Sequence, residues 1–554
     1  MNRKSLFSII ATLPILFSCQ QDHEVEIAVC CINDFHASFV ADEDRNLYGV
    51  GSLIHTLDSI KTAYPHHIIL SAGDNFGGSY FYKVTNGATM PTFFTESGIK
   101  ISTIGNHEFD EGQEKLSQKW SAQSTDNQPS DITYISANIR DSLGSTPHFA
   151  KAFAISEVKL SDTKTLNFSF IGLTTASTPQ QTSVRHLQGL HFDANIISII
   201  DSLKNSKEYQ AITPSIDATF IIGHIGAMRN NGTPAWEDIS SEQLSMLDTN
   251  HADGFFAAHT HDTLSGFINN GQLPIVQGGC NGMYVGIMKV VYDTVKNKVT
   301  KVIPELSPVR KPSHTDSYTQ QQVDSLLAST YVSGRPLNEE LCIIHSEMPH
   351  NRLQRFGFSE VADLVCSSYA DAYRQKVDDK CPIIGVSHYG SIRTSLYEGS
   401  LSVLEAGEIL PFANNLRAFK YSGKQLKTLL TFGLHNMKFG WLQTSALTFE
   451  CETKENLQVT KVWYTANGVT SEINDNDQCI IVVDDYMVTG GDGYLPEFFP
   501  IKQEIQVQLP NTTSAFFNYL KSKGSFTSQP DAMRKVTIKG NTFRTLGEII
   551  ESVE

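Results

Sequence analysis

Residues 66–79 read HHIILSAGDNFGGS, an apolar run that stops abruptly at Gly73 and Asp74 and is followed by two more glycines at 77 and 78. A short apolar run closed by a glycine turn reads as a buried strand entering a loop, which leaves Asp74 just past the strand end. The same pattern recurs upstream in EIAVCCI (26–32) and downstream in NFSFIGLTT (167–175), DATFIIGH (217–224) and DGFFAAH (253–259). Amphipathic stretches separate several of these runs. From Glu24 to about Ile303 this is the rhythm of an α/β domain, in which loops beyond the strand ends converge over one edge of the sheet and collect ligand-bearing residues.

The chain has 554 residues, more than one hydrophobic core usually serves, since single cores stop growing near ~250–300 residues. Two domains are expected. The PVRKPSHTDS stretch (308–317) followed by YTQQQVDSLLASTYV (318–332) reads as an exposed connector entering a helix, so the division is 24–310, a linker with helix at 311–341, and 342–554. The second part again mixes apolar strands with helices, among them one around Ser359–Tyr373, and ends in the turn-rich YMVTGGDGY (486–494) and the segment from Arg534 onward. No internal repeat or low-complexity block is present. With 43 Lys plus Arg against 59 Asp plus Glu, the charge of −16 argues against nucleic acid as a partner and against polybasic membrane contact. A small anionic substrate then has to be met by local cations.

The N-terminus, MNRKSLFSIIATLPILFSCQQ (1–21), places Arg3 and Lys4 before an apolar run, Leu6 to Phe17, too short to span a bilayer but suited to an export signal. Residues 1–18 are therefore excluded from the fold, and losing Arg3 and Lys4 takes the charge from −16 to −18. LFSC (16–19) resembles the lipobox of bacterial lipoproteins, which implies an acylated Cys19 and an exported, membrane-anchored protein facing the periplasm or the cell surface. The other cysteines lack the paired spacing of a zinc or iron–sulfur site, and adjacent Cys30 and Cys31 on one strand point to opposite faces.

The densest chemical signal is a set of metal-ligand side chains at turns of the first domain. Asp34 and His36 in CINDFHAS share a side if the strand end is extended; Asp74 follows, then Asn106 and His107 in TIGNHEFDEG, His224 in IIGHIG, and His259 and His261 in AAHTHD. Singly each is ordinary, but several separate strand-turn units would all have to place an Asp, Asn or His by accident. In order, D34-F-H36, G73-D-N-F-G-G-S79, G105-N-H-E108, G223-H224 and A258-H-T-H261 resemble the blocks of the bacterial periplasmic and animal cell-surface 5′-nucleotidases within the calcineurin-like metallophosphoesterases. Ala258 stands where the last block usually has Gly.

That resemblance implies a four-layer α-β-β-α metal domain followed by a smaller α/β substrate domain. It implies two divalent ions, with Zn, Mn, Fe and Mg all compatible: one held by Asp34, His36, Asp74 and His261, the other by Asp74, Asn106, His224 and His259. Two cations about 3.5–4 Å apart that share a carboxylate supply a nucleophile and neutralise charge on phosphoryl oxygens. It further implies that His107, oriented by Asp110, approaches the phosphate. In the second domain it implies substrate contacts from Arg393 and Asn414, two aromatic rings around a base at Trp441 in FGWLQTS and Tyr486, and a ribose acceptor at Asp492. The arginine loop departs from the family form: HYGSIR (388–393) stands where NGGGIR is usual.

The expected activity is hydrolysis of nucleoside 5′-monophosphates to nucleoside and phosphate. The altered loop keeps open a 2′,3′-cyclic nucleotide phosphodiesterase, a nucleotide-sugar hydrolase or another organophosphate hydrolase. A non-catalytic nucleoside-binding surface protein is the remaining alternative, against which the full ligand set argues. Nothing in the sequence sets an oligomeric state.

Overall fold

The structure, a computed structural model, describes residues 23–119, 132–230, 233–236, 247–268, 272–332, 334–351 and 354–552. The export and lipobox segment with Cys19 lies outside the described residues. The first half contains two six-stranded sheets. One runs in the order Lys298–Pro308, Tyr284–Asp293, Glu24–Ile32, His67–Ser71, Ile101–Thr103, Thr133–Ile135. The other runs Thr263–Ile268, Leu273–Gly278, Gly254–Phe256, Ala218–His224, Thr165–Thr174, Phe153–Lys159.

Alternation along the strands decides the layers. In Glu24–Ile32, Ile27, Val29 and Cys31 face the second sheet and join Phe168, Phe170, Phe220 and Phe256 in one buried cluster. Ala28, Cys30 and Ile32 face the other way, onto helices Gly49–Ala63 and Met90–Ser97. On the far side of the second sheet, Ile171, Leu173, Ile221 and Phe255 pack against helix Ile196–Lys204. The result is the expected four-layer α-β-β-α sandwich, and Cys30 and Cys31 do fall in different cores. Parallel pairing of Glu24–Ile32 with His67–Ser71, and of the latter with Ile101–Thr103, brings their C-terminal ends to one rim.

Helix Tyr318–Ser329, capped by Ser317, follows the first half. The second half holds a five-stranded sheet, Gln443–Thr444, Ile383–Ser387, Gln478–Asp484, Leu416–Ser422, Glu504–Ile505, and a second one built on Leu447–Cys451 and Val459–Ala466. Helix Glu360–Arg374 lies on strand Ile383–Ser387 so closely that a Cβ on Gly385 would sit 1.8 Å from the Cys366 carbonyl oxygen.

The two halves meet directly. The Tyr80 ring packs edge-on against Phe517 at 5.7 Å, and a Cβ on Gly407 would fall 2.1 Å from it. The Glu408 carboxylate accepts from Ser79 Oγ and from the Tyr80 and Phe81 amides, capping helix Tyr80–Val84 from across the boundary.

Candidate active site

The ligand turns sit where the strand ends converge, but not as extended strand. Glu24–Ile32 ends before Asp34, and Asp34 and His36 have φ of 48° and 50°. The expected same-side geometry of an extended end is thus replaced by a left-handed turn. Its cause is backbone pairing with the neighbouring loop: the Asp34 amide donates to Gly73 O (3.1 Å), His36 to Asp74 O (2.9 Å) and Ala37 to Asn75 O (2.9 Å). Asp74, His259 and His261 are left-handed too, with φ of 52°, 80° and 62°. Strain of this kind in non-glycine residues persists only where the surroundings over-determine it, and it concentrates at functional sites.

The side chains converge. His36 Nε2 lies 3.0 Å from His261 Nε2, His261 Nε2 lies 3.5 Å from Asp34 Oδ1, and His224 Nε2 lies 3.1 Å from Asp74 Oδ2. Asp34, His36 and His261 form one compact donor group, and Asp74, His224 and His259 another. Asp34 is held by the His259 amide (3.0 Å) and by Asn33 Nδ2 (2.8 Å). Gly105 is required here, because a Cβ would lie 2.2 Å from Asp74 Oδ1.

These residues fit divalent cations. Asn106 Oδ1 is buried with no hydrogen-bond partner among the described residues, and His224 presents Nε2 to Asp74 Oδ2 at 3.1 Å while its Nδ1 is occupied by Ala72 O at 2.9 Å. Burial opposes charging His224, yet Asp74 outweighs it and lifts its pKa to about 10, the mark of a pocket that demands positive charge. A donor set of imidazole nitrogens, carboxylates and one amide oxygen suits Zn, Mn or Fe and leaves Mg open.

His107 donates its amide to Asp74 Oδ1 (2.8 Å), and its Nδ1 lies 2.7 Å from Asp110 Oδ2. Burial opposes its protonation, but Asp110 and then Asp74 prevail and the pKa is raised above the ordinary value. Its ring lies parallel to Phe412 across the domain boundary, at 5.7 Å.

Facing the candidate metal-ligand cluster is a cleft of about 1080 Å³ lined from both domains, with Arg393, Asn414, Tyr486 and Asp492 on its second wall. The Arg393 guanidinium lies 5.6 Å over the Phe412 ring. Trp441, expected as one of the rings around the base, does not reach the cleft. It is 0% exposed, packs against Phe358 at 5.5 Å, and belongs to the core of the second domain. Gly440, with φ of 104°, turns the chain there, and the Trp441 amide is pinned by Arg355 O at 2.9 Å, so Phe439 lines the cleft instead.

Sequence reasoning also passed over Glu108. Buried between two ligand turns, it accepts from the amides of Gly105 (2.6 Å), Asp74 (2.9 Å) and Asn75 (2.8 Å), and burial followed by Asp74 pushes its pKa up to about 7. The signal was there in GNHE, as the acid beside two ligands. Arg355, also on the cleft, carried no signal in the sequence, and His388, expected only as the changed first residue of the arginine loop, lines the cleft too.

Residues 27–263 match the calcineurin-like phosphoesterase family, and residues 343–498 match the 5′-nucleotidase C-terminal domain. The trifunctional nucleotide phosphoesterase protein YfkN of Bacillus subtilis is 24% identical over 85% of this chain, which spans only 32% of YfkN's length. The 5′-nucleotidase of Bos taurus is 22% identical over 90% of this chain and 89% of its own. The crystal structure of a 5′-nucleotidase precursor from Thermus thermophilus superposes with a TM-score of 0.71 at 16% identity, covering 94% of this chain and all of that one. A two-sheet sandwich with this ligand cluster and these matches is a metal-dependent phosphoesterase. The chain carries the two domains of the 5′-nucleotidases in order, a calcineurin-like phosphoesterase domain followed by a 5′-nucleotidase C-terminal domain.

Proposed function

We propose that the protein removes phosphate from nucleoside 5′-monophosphates, yielding nucleoside and inorganic phosphate. The observation that carries this reading is the cleft, with the converging donors on one wall and an arginine, two aromatic rings and a carboxylate on the other. In this reading Asp34, His36, Asp74 and His261 hold one ion, and Asp74, Asn106, His224 and His259 hold the second, with Asp74 shared. Bound there, such ions activate the nucleophile and neutralise charge on the phosphoryl oxygens. His107, steadied by Asp110, donates its Nε2 proton to the phosphoryl group or the leaving ribose oxygen. Arg393 and Asn414 hold the phosphate and sugar, Asp492 accepts from the sugar hydroxyls, and Tyr486 with Phe439 flanks the base. Stacking of this kind is worth about 1–3 kcal/mol per base and tolerates purines and pyrimidines alike.

The division of labour is part of the proposal: residues 24–310 do the chemistry, 311–341 connect, and 342–554 read the leaving group. So is export with a lipid anchor on Cys19, supported by Arg3, Lys4 and the apolar run. No helix among the described residues is long and apolar enough to cross a membrane. Labelling with a fatty-acid analogue should mark the wild type and not Cys19→Ala.

The activity is tested by phosphate release from AMP, UDP-glucose, cyclic AMP and an aryl phosphate with added Mn or Zn. AMP should be turned over best. Absence of turnover on every ester in metal-replete protein sinks the catalytic reading, and a preference for the aryl ester sinks nucleotide specificity.

A further inference from the structure

The loop at 388–393 departs from the glycine-rich form at three residues, and each of the three has a bonding partner. Tyr389 stacks on His350 at 4.4 Å and donates its hydroxyl to Asn351 O at 2.9 Å. Ser391 Oγ pairs with Ser387 Oγ (2.7 Å) and donates to His388 O (2.9 Å). His388 Nδ1 lies 2.7 Å from Asp492 Oδ2, while Tyr486 donates its hydroxyl to Asp492 Oδ1 at 2.9 Å. The His388 and Tyr486 rings lie 4.8 Å apart, so three side chains on the cleft wall form one unit. Asp492 itself is held at φ of 49°, and its carbonyl oxygen accepts from Asn436 Nδ2 at 3.0 Å.

A carboxylate has about four lone-pair sites, two on each oxygen. His388 and Tyr486 take one on each, which leaves acceptor capacity on both oxygens. Behind the loop, Asp484 is buried with Oδ2 lacking a hydrogen-bond partner among the described residues, and its charge and that of Asp492 favour the imidazolium form of His388 over the cost of burial. With one oxygen engaged by His388 and the other by Tyr486, Asp492 is fixed before substrate arrives, so less rotational freedom is lost on binding.

We infer that His388 is a positioning residue that sets substrate specificity: by locking Asp492 against Tyr486 it makes a preformed double acceptor for the vicinal diol of a ribose, so that ribonucleotides are taken in preference to 2′-deoxyribonucleotides. The inference rests on the nucleotide reading above and sharpens it. A site built to hydrogen-bond a hydroxyl rejects the analogue that lacks it far more strongly than an apolar pocket rejects a methylene.

The test uses the full, metal-loaded chain as wild type, His388→Ala and His388→Asn, with AMP and 2′-deoxy-AMP as substrates. Adenosine and 2′-deoxyadenosine serve as competitive inhibitors of 4-nitrophenyl phosphate hydrolysis. The wild type should favour AMP by at least about tenfold in kcat/KM. His388→Ala should bring that ratio to within about twofold of unity, chiefly through KM for AMP, because a fixed hydrogen bond to a charged group is worth roughly a factor of ten or more. His388→Asn, which keeps an N–H toward Asp492, should recover most of the ratio and covers the case in which the alanine variant does not fold. The inhibition constants should follow the same order. Equal inhibition by the two nucleosides in the wild type, or a ribo-to-deoxy ratio that His388→Ala leaves untouched, overturns the inference. Failure of the nucleotide reading looks different: AMP is then turned over no better than the aryl ester, while the nucleoside inhibition constants still report on the diol clamp.

Discussion

Asp74 lies between the two donor groups, with Oδ2 3.1 Å from His224 Nε2 and 4.0 Å from His36 Nε2, and its environment shows why its neighbours cannot be exchanged freely. It stands within reach of His224, receives the His107 amide, and gives its own amide to Glu108. Asp74→Asn should reduce the metal content below two ions per chain by elemental analysis and lower kcat/KM by more than about 100-fold, beyond what loss of a supporting residue costs. Glu108→Gln turns an acceptor of three backbone amides into a partial donor facing them; metal affinity, read by titration with a chelating indicator, should fall about 10–100-fold. At His388, burial opposes charging but Asp492 and Asp484 outweigh burial and Arg393, and the pKa is raised above 6.5. The ion pair therefore stabilises the fold fully below the unfolded value and its contribution fades as pH climbs through the folded one. The difference in unfolding midpoint between wild type and His388→Asn should be larger at about pH 6 than at about pH 9.

At the scale of elements, the decisive contacts are close approaches that leave no room for a methyl group. Helix Glu360–Arg374 rests on strand Ile383–Ser387 through Gly385, whose Cβ would overlap the Cys366 carbonyl oxygen, an atom of the helix backbone. Gly385→Ala should destabilise by about 3 kcal/mol or more, measured by denaturant unfolding, since neither element can give way without losing its other contacts. The cap on helix Tyr80–Val84 crosses the domain boundary, so Glu408 serves local helix structure and domain docking together. Periodicity announced most of these elements, including the helix after Ser359, found at Glu360–Arg374. It missed the left-handed turns after the strands, because φ at Asp34 or His36 is set by bonds to residues about forty positions away and not by their own propensity.

At the scale of the molecule, an acidic chain brings an anionic substrate to a pocket whose buried carboxylates call for cations. Chelation should lower the unfolding midpoint, by an amount that grows with the free metal concentration of the reference sample, because ions that bind only the folded state stabilise it by mass action. The charge of −16 says nothing of this pocket, where the potential is set by Asp34 and Asp74 at close range.

The sequence by itself determined the fold class, the two-part organisation and the side chains that converge as a candidate metal site, since strand-turn punctuation and donor identity are written locally. Only the tertiary structure decided which ring meets the cleft. Phe439 and Trp441 are two residues apart and equally aromatic, and the choice falls to the turn at Gly440 and to a core that Trp441 fills. The same holds for His388: its partners Asp492 and Tyr486 lie about a hundred residues further along the chain, and only folding brings an imidazole and a carboxylate to 2.7 Å.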